Sequence, residues 1–460
     1  MSDTLIDGPV ADATPVTALS IEAMEAWLEN RPEGERAWLE KTGFKAKAGT
    51  MAWLPAADGL SDRVLFCLPE APVLWDWAAL PAALPAGNYG LDGAISEAEA
   101  ADAAVAWGLA TYRFQRYRDD ADADAQPKLV WPEAAPRADV LRAVRFTTLI
   151  RDLVNTPANN LGPGELAAAA ADLAREFGAD CRVIIGDDLL TEGYPAVHTV
   201  GRAHDREPRF IDVKWGLDAA PRLTLIGKGV TFDTGGLDLK PASAMELMKK
   251  DMGGAAHALA LAGMVMDAGL DVRLRLLIPA VENSVSSNAF RPGDVVATRK
   301  GLSVEIGNTD AEGRVILADA LSEAASEEPD LVIDFATLTG AARVALGTEL
   351  PALFCNDDGT AETLLAAARD VGDPLWRMPL WQGYAKEIEG KIADLNNAPS
   401  GRFGGAITAA LFLERFAEGI ERWAHIDLMA WMTASKPGRP AGGEAMGLRA
   451  AFEMIKRRYG

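Results

Sequence analysis

From residue 138 onward, short β-branched runs alternate with segments of helical spacing, and that alternation leaves few folds open. Strand candidates cover residues 182–185, 210–215, 223–226, 273–279 and 331–335. Helical spacing covers 138–155, resumes near Gly164 with Glu165 in the first turn, and returns over 243–268, 315–325 and 407–417. Strands interleaved with helices argue for an α/β domain with a largely parallel or mixed sheet. There is no internal repeat and no extended low-complexity tract.

At 460 residues the chain has room for two domains. The first 135 residues are rich in Ala, Trp and Asp. They hold a strand candidate at 63–68, a helix expected over 97–117 and a polar segment at 119–124, and linker character follows at 131–136. The expectation is a smaller N-terminal α/β domain over 1–135, a connecting helix over 136–158, and a larger C-terminal α/β domain over 159–460. The larger domain should carry a mixed central sheet flanked by helices. No catalytic constellation precedes the boundary.

Charge narrows the partners. Lys+Arg is 45 against 67 Asp+Glu, a net charge of -22, so a polyanion meets an average surface that repels it. Nucleic acid and anionic membrane are disfavoured. Cys67, Cys181 and Cys355 lie far apart and are odd in number, which suits a reducing compartment. The acidic N-terminus lacks the apolar core of a signal peptide. The longest apolar stretch, 255–270, is broken by His257 and Asp267 and is too short to span a bilayer. A cytoplasmic protein is expected.

Only four histidines exist, with no HExxH and no His/Cys cluster at zinc spacing. A metal site must therefore rest mainly on oxygen donors. Three Gly-flanked clusters offer them. The first, Leu225-Ile-Gly-Lys-Gly-Val-Thr-Phe-Asp-Thr-Gly-Gly-Leu-Asp-Leu-Lys-Pro241, follows a strand and carries Lys228, Asp233, Asp238 and Lys240. Ligands gather at strand C-terminal ends in open α/β sheets. The second, Met248-Lys-Lys-Asp-Met-Gly-Gly-Ala-Ala256, places Asp251 in an otherwise apolar helical stretch. In the third, Asn308-Thr-Asp-Ala-Glu-Gly-Arg314, an extended backbone would point Asp310, Glu312 and Arg314 the same way. Each cluster has a plainer reading: a turn-rich loop, a solvated helix face, or a helix N-terminus where acids suit the dipole. Together they supply four carboxylates, Asp233, Asp251, Asp310 and Glu312, enough for two divalent cations sharing a water. Paired carboxylates around two cations also suit a phosphoesterase.

The segments Gly227-Lys-Gly-Val-Thr-Phe-Asp-Thr-Gly-Gly236, Lys249-Lys-Asp-Met-Gly-Gly-Ala255 and Asn308-Thr-Asp-Ala-Glu-Gly-Arg314 resemble, in order and separation, the leucine aminopeptidase (cytosol aminopeptidase) family. Supporting similarities run through Asn155-Thr-Pro-Ala-Asn159, Ala393-Asp-Leu-Asn396, Gly404-Gly-Ala-Ile-Thr-Ala-Ala-Leu-Phe-Leu413 and His425-Ile-Asp427. The likeness covers roughly residues 150 to 455. It implies that 159–460 is the catalytic domain of a metal-dependent aminopeptidase with leucine-like preference. Lys228, Asp233, Asp251, Asp310 and Glu312 would then ligate two divalent ions: zinc, manganese or magnesium. Lys240 and Arg314 would form the catalytic pair, with Arg314 holding bicarbonate as general base. Met248 would line the pocket for the first side chain; a core methionine is the equal alternative. The resemblance further implies peptide substrates with a free N-terminus and a homohexamer. A non-catalytic scaffold or nucleic-acid-binding member of the fold is the competing reading, against which every expected site position is filled. One departure is Asp238, where a small hydroxyl residue is expected; its carboxylate either adds charge beside the metals or points away.

Overall fold

The computed structural model describes residues 4–55, 62–93, 95–118, 125–399, 401 and 403–460. The polar segment 119–124 lies outside them. The chain divides into two compact units: Met1–Thr148 with Ala434–Ala441, and Leu149–Thr433 with Gly442–Gly460.

The smaller unit is built on a six-stranded sheet. Its strands are β1 (Leu5–Ile6), β2 (Thr14–Ser20), β3 (Met51–Pro55), β4 (Asp62–Leu68), β5 (Gly87–Asp92) and β6 (Pro127–Val130), in the order β1-β6-β5-β2-β4-β3. All pairings are parallel except β3 with β4. Val16, Val64, Phe66, Tyr89 and Trp107 form its core. The helix expected over 97–117 spans Glu97–Ala110. It starts on a capping box, in which Ser96 and Glu99 satisfy each other's backbone N–H groups. It stops early because the Thr111 hydroxyl donates to the Trp107 and Gly108 carbonyls, supplying partners that a further turn would otherwise give.

The larger unit carries a nine-stranded mixed sheet. Its strands are β7 (Asp180–Ile185), β8 (Arg209–Trp215), β9 (Arg222–Gly227), β10 (Gly229–Asp233), β11 (Arg273–Asn283), β14 (Leu331–Ala336), β15 (Ala352–Cys355), β16 (Trp376–Arg377) and β18 (Trp423–Asp427). The short β12 (Val295–Ala297), β13 (Ser303–Glu305) and β17 (Leu395–Asn396) form a separate ribbon. The order in the large sheet is β16-β15-β18-β14-β9-β11-β8-β7, with β10 also on β11. The centre, β18-β14-β9-β11, is parallel, and β8 and β15 run antiparallel to it. All six residues of β14 and all five of β18 are buried, the continuous burial of strands covered on both faces. The helix Gly253–Asp267 is buried at every position but its last. A helix apolar all round belongs inside. Each Leu, Val or Met it buries stabilises the fold by about 2 kcal/mol. Among the described residues no helix is long and apolar enough to cross a membrane.

The stretch expected as one helix over 243–268 is three pieces. Ala242–Met245 is a single turn, Met248–Met252 a 3-10 turn, and Gly253–Asp267 the α-helix. Close approach explains the break. A Cβ on Gly254 would stand 2.1 Å from the Phe335 carbonyl oxygen of β14, so the helix starts where its backbone touches the sheet.

Candidate metal centre

Strands β9 and β10 both pair in parallel with β11, one beyond the other, and Lys228 is the single residue between them. Its backbone is held on both sides. Its N–H donates to Phe335 O at 3.0 Å, and its carbonyl accepts from Ala255 N at 2.9 Å. The side chain is 3% exposed. Its Nζ lies 2.6 Å from Asp251 Oδ2 and 2.9 Å from Glu312 Oε1. Gly313 gives the amine room: a Cβ there would sit 2.7 Å from Nζ.

Asp233 ends β10. Its Oδ1 accepts from Gly235 N and from Asn283 Nδ2, each at 2.8 Å, and its Oδ2 lies 2.8 Å from Lys240 Nζ. Lys240 also pairs with Asp310. Asp251 sits in the 3-10 turn, with Thr337 Oγ1 donating to its Oδ1 at 2.7 Å. Glu312 begins the helix Glu312–Ala325.

The third cluster is therefore a turn leading into a helix N-terminus, not the extended segment whose alternation suggested a shared direction. Asp310 and Glu312 still converge. Each places an oxygen within 4.8 Å of the other's and of one from Asp233. Arg314 is buried as well, and its NH1 donates to Asn397 O at 2.6 Å.

Negative charge is crowded here. Burial, and then the neighbouring Asp233, push Glu312 up to about 8 and Asp310 up to about 6. Burial opposes the charge on Lys228 and Lys240, but the surrounding carboxylates outweigh it and hold both above the ordinary lysine value. Among the buried carboxylate oxygens, Glu312 Oε2 has no partner, and Glu312 Oε1 and Asp251 Oδ2 have only the Lys228 amine. Buried carboxylate oxygens are ordinarily bonded. Oxygens left open and aimed at one another suit divalent cations. The residues present thus fit a metal site.

Asp238 points away from this group. Its Oδ2 accepts from Thr309 N at 2.7 Å, its own N–H donates to Thr309 Oγ1 at 2.8 Å, and that hydroxyl also donates to Gly235 O. The carboxylate clasps the loop after β10 to the loop before Glu312. Met248 is nearly buried, at 9% exposure.

Two supporting residues escaped the sequence reading. Asn283 ties Asp233 to Thr309 O. Fully buried Asn397 accepts from Gly307 N and Asn308 N and donates to Asn308 O and Ala311 O, fixing the loop that carries Asp310. A lone Asn gives no signal in a single sequence, although Asn397 directly follows the quoted Ala393-Asp-Leu-Asn396.

A two-unit α/β chain with a carboxylate and lysine cluster at the sheet centre defines the class, and comparison with known proteins gives the family. Residues 148–452 match the model of the cytosol aminopeptidase family, catalytic domain, and residues 14–132 that of the M17 aminopeptidase N-terminal domain. The chain belongs to the cytosol aminopeptidase family. It is similar to a probable cytosol aminopeptidase of Chlorobium limicola, 41% identical over 67% of this chain and 62% of that one. It is likewise similar to one of Syntrophotalea carbinolica, 41% identical over 76% and 73%. The match thus spans less than two thirds of the first relative's length. Among solved structures, the cytosol aminopeptidase of Coxiella burnetii is 47% identical with a TM-score of 0.95, covering 100% of both chains. The bottromycin maturation enzyme BotP in complex with Mn is 34% identical with a TM-score of 0.87, covering 98% of this chain and 100% of that one.

Proposed function

We propose that this protein is a metal-dependent aminopeptidase that releases N-terminal residues, leucine-like ones preferred, from peptides with a free amino terminus. The carrying observation is the convergence of Asp233, Asp310 and Glu312 on one point, with Asp251 and Glu312 also paired to the buried Lys228 amine and Glu312 Oε2 without a partner. Lys228, Asp233, Asp251, Asp310 and Glu312 would hold two divalent cations, with manganese, zinc and magnesium as candidates; the manganese complex of BotP supports the first. When bound, such cations lower the pKa of a shared water and polarise the scissile carbonyl.

The chain's own groups do the rest. Lys228 binds metal only as the neutral amine, so it gives up the proton that its carboxylate neighbours now favour. Lys240 keeps its proton, and its ammonium donates to the oxygen that gains charge as the peptide carbonyl is attacked. Arg314 holds bicarbonate, the general base; its buried Nε has no hydrogen-bond partner and suits a planar anion. Met248 lines the pocket for the first side chain.

A homohexamer, a cytoplasmic location and boundaries at 1–135, 136–158 and 159–460 complete the proposal. The cytosol aminopeptidase names of the relatives and three free cysteines support the compartment. Neither the phosphoesterase nor the nucleic-acid reading is favoured.

Leucine p-nitroanilide hydrolysis by the chelated protein, repeated after manganese or zinc is restored, tests the activity. The expected result is metal-restored cleavage of the free amine and none of its N-acetylated form. Cleavage of both, or of neither with metal bound, refutes it.

A further inference from the structure

The chain leaves strand β14 beside the metal centre. Phe335 pairs with Gly227 of β9, the residue before Lys228, and Ala336 pairs with Asp427 of β18. Thr337 comes next. Its hydroxyl holds Asp251 by the backbone oxygen and by Oδ1, at 3.1 and 2.7 Å. Asp427 fixes the following residues, accepting from Leu338 N, Thr339 N and the Thr339 hydroxyl. The helix Gly340–Leu346 therefore starts at the carboxyl ends of the central strands, where the site lies. Met248 and Asp251 are one turn apart in the 3-10 segment and share a face of it.

Arg343 lies three residues beyond Gly340. Helical side chains lean towards the N-terminus, and this one folds back over exposed Gly340: a Cβ there would stand 3.5 Å from Arg343 NH2. The residue is half-buried, yet its guanidinium makes no hydrogen bond or ion pair with any described residue. In a chain of net charge -22 such an arginine would ordinarily have a carboxylate. The nearby ones are taken, Asp427 by Leu338 and Thr339, and Asp251 by Thr337 and Lys228. Lys250, buried in the turn that Thr337 holds, also keeps its ammonium without a partner. This border of the site thus offers positive charge to a ligand, and the planar fork of a guanidinium matches a carboxylate.

We propose that Arg343 is a specificity-determining residue that pairs with the side-chain carboxylate of a glutamate at the first position of the peptide, so that acidic first residues are accepted beside leucine-like ones. The inference rests on the aminopeptidase reading, with Met248 as a wall of the first pocket. Glutamate carries its carboxylate on a stem as long as leucine's, so the same apolar wall suits both. The hydrocarbon stem of Arg343 leaves the rim apolar when leucine is bound.

The test compares L-glutamyl with L-glutaminyl p-nitroanilide, which match in shape, differ in charge and lack a C-terminal carboxylate. The manganese-restored wild type is expected to cleave the glutamyl substrate with the higher kcat/KM. In Arg343→Met the glutamyl-to-glutaminyl ratio should fall about ten- to a hundredfold, as for the loss of a charge-assisted pair, and Arg343→Lys should restore part of it. A merely structural role would move both substrates together; an unchanged ratio overturns the proposal, and so does a wild type that prefers glutamine. The α-amides of leucyl-glutamate and leucyl-glutamine place the charge on the second residue instead. If their ratio falls in Arg343→Met while the first holds, the guanidinium serves that residue and the proposal is overturned. Should Arg343→Met not fold, Arg343→Gln replaces it. Leucine p-nitroanilide keeps the two readings apart. Its cleavage, with no change of ratio at position 343, sinks this inference alone, whereas no cleavage of any substrate sinks the aminopeptidase reading with it.

Discussion

Glu312 enters its helix with both carboxylate oxygens free of hydrogen bonds and only the Lys228 amine at ion-pair distance. Replacing it with Ala removes a proposed metal donor and leaves the Lys228 amine its Asp251 partner. Glu312→Ala is expected to lose bound metal and turnover together while its circular dichroism spectrum stays native. Retained turnover would exclude Glu312 as a ligand. Lys240→Ala should keep its metal, because Lys240 touches the carboxylates as a cation, and lose about a hundred- to a thousandfold in kcat. Elemental analysis beside kinetics separates the two outcomes. Asp238→Ala should cost about 1 kcal/mol in urea unfolding through the lost clasp on Thr309, with metal preference unchanged. The seven proposed site positions stood out in the sequence because Lys, Asp, Glu and Arg flanked by glycine are rare together. The direction of Asp238 was not legible, since it depends on a backbone N–H 71 residues away. Asn283 and Asn397 were hidden for the same reason.

Secondary structure read from apolar spacing was accurate where an element is either all core or clearly two-faced. Strands β8, β9 and β14 fall within a residue of their expected bounds. It failed where backbone contact overrides propensity, as at the start of the helix Gly253–Asp267. That helix also carries a pH-sensitive link. The Nδ1 of His257 donates to Gly253 O, while its Nε2 accepts from Met446 N. Burial pulls its pKa down to about 4, against a smaller upward pull from Gly253 and Asp373. Because the folded pKa is depressed, unfolded chains bind the extra proton. The stabilisation is complete above about pH 6.5 and is lost as pH falls towards 4. Urea unfolding should show about 2 kcal/mol of loss between pH 7 and pH 5 from this group alone. His257→Phe should lack that share; an identical pH slope in both proteins would refute the assignment. At the start of the next site helix, Gly313→Ala should fold but bind metal more weakly, because its methyl group displaces the Lys228 amine. Isothermal titration with zinc checks this.

Across the whole chain, every proposed ligand falls in the unit of Leu149–Thr433 with Gly442–Gly460. A ligand that binds only the folded state stabilises it by mass action, by about 3 kcal/mol for each site held at a hundredfold excess over Kd. Chelation should therefore lower the calorimetric transition of that unit and leave the transition of the smaller unit in place. A common shift of both would mean that the two unfold together. The two-unit α/β plan was legible from the alternation of strands and helices. The position of β18, the strand that brings His425 beside Asp334, was not, because His425 and Asp427 break its five residues into too short an apolar run to stand out.

The in-line placement of β9 and β10 along β11 has one more consequence. Lys228 and Asp233 keep their separation through the hydrogen-bond register of a shared neighbour, as marks on a ruler keep theirs, while loops elsewhere in the chain can lengthen freely. A codon gained or lost between residues 222 and 233 would slide one mark against the other. In a library of single-residue insertions, this short stretch should be among the most barren, even though few of its residues ever meet a substrate.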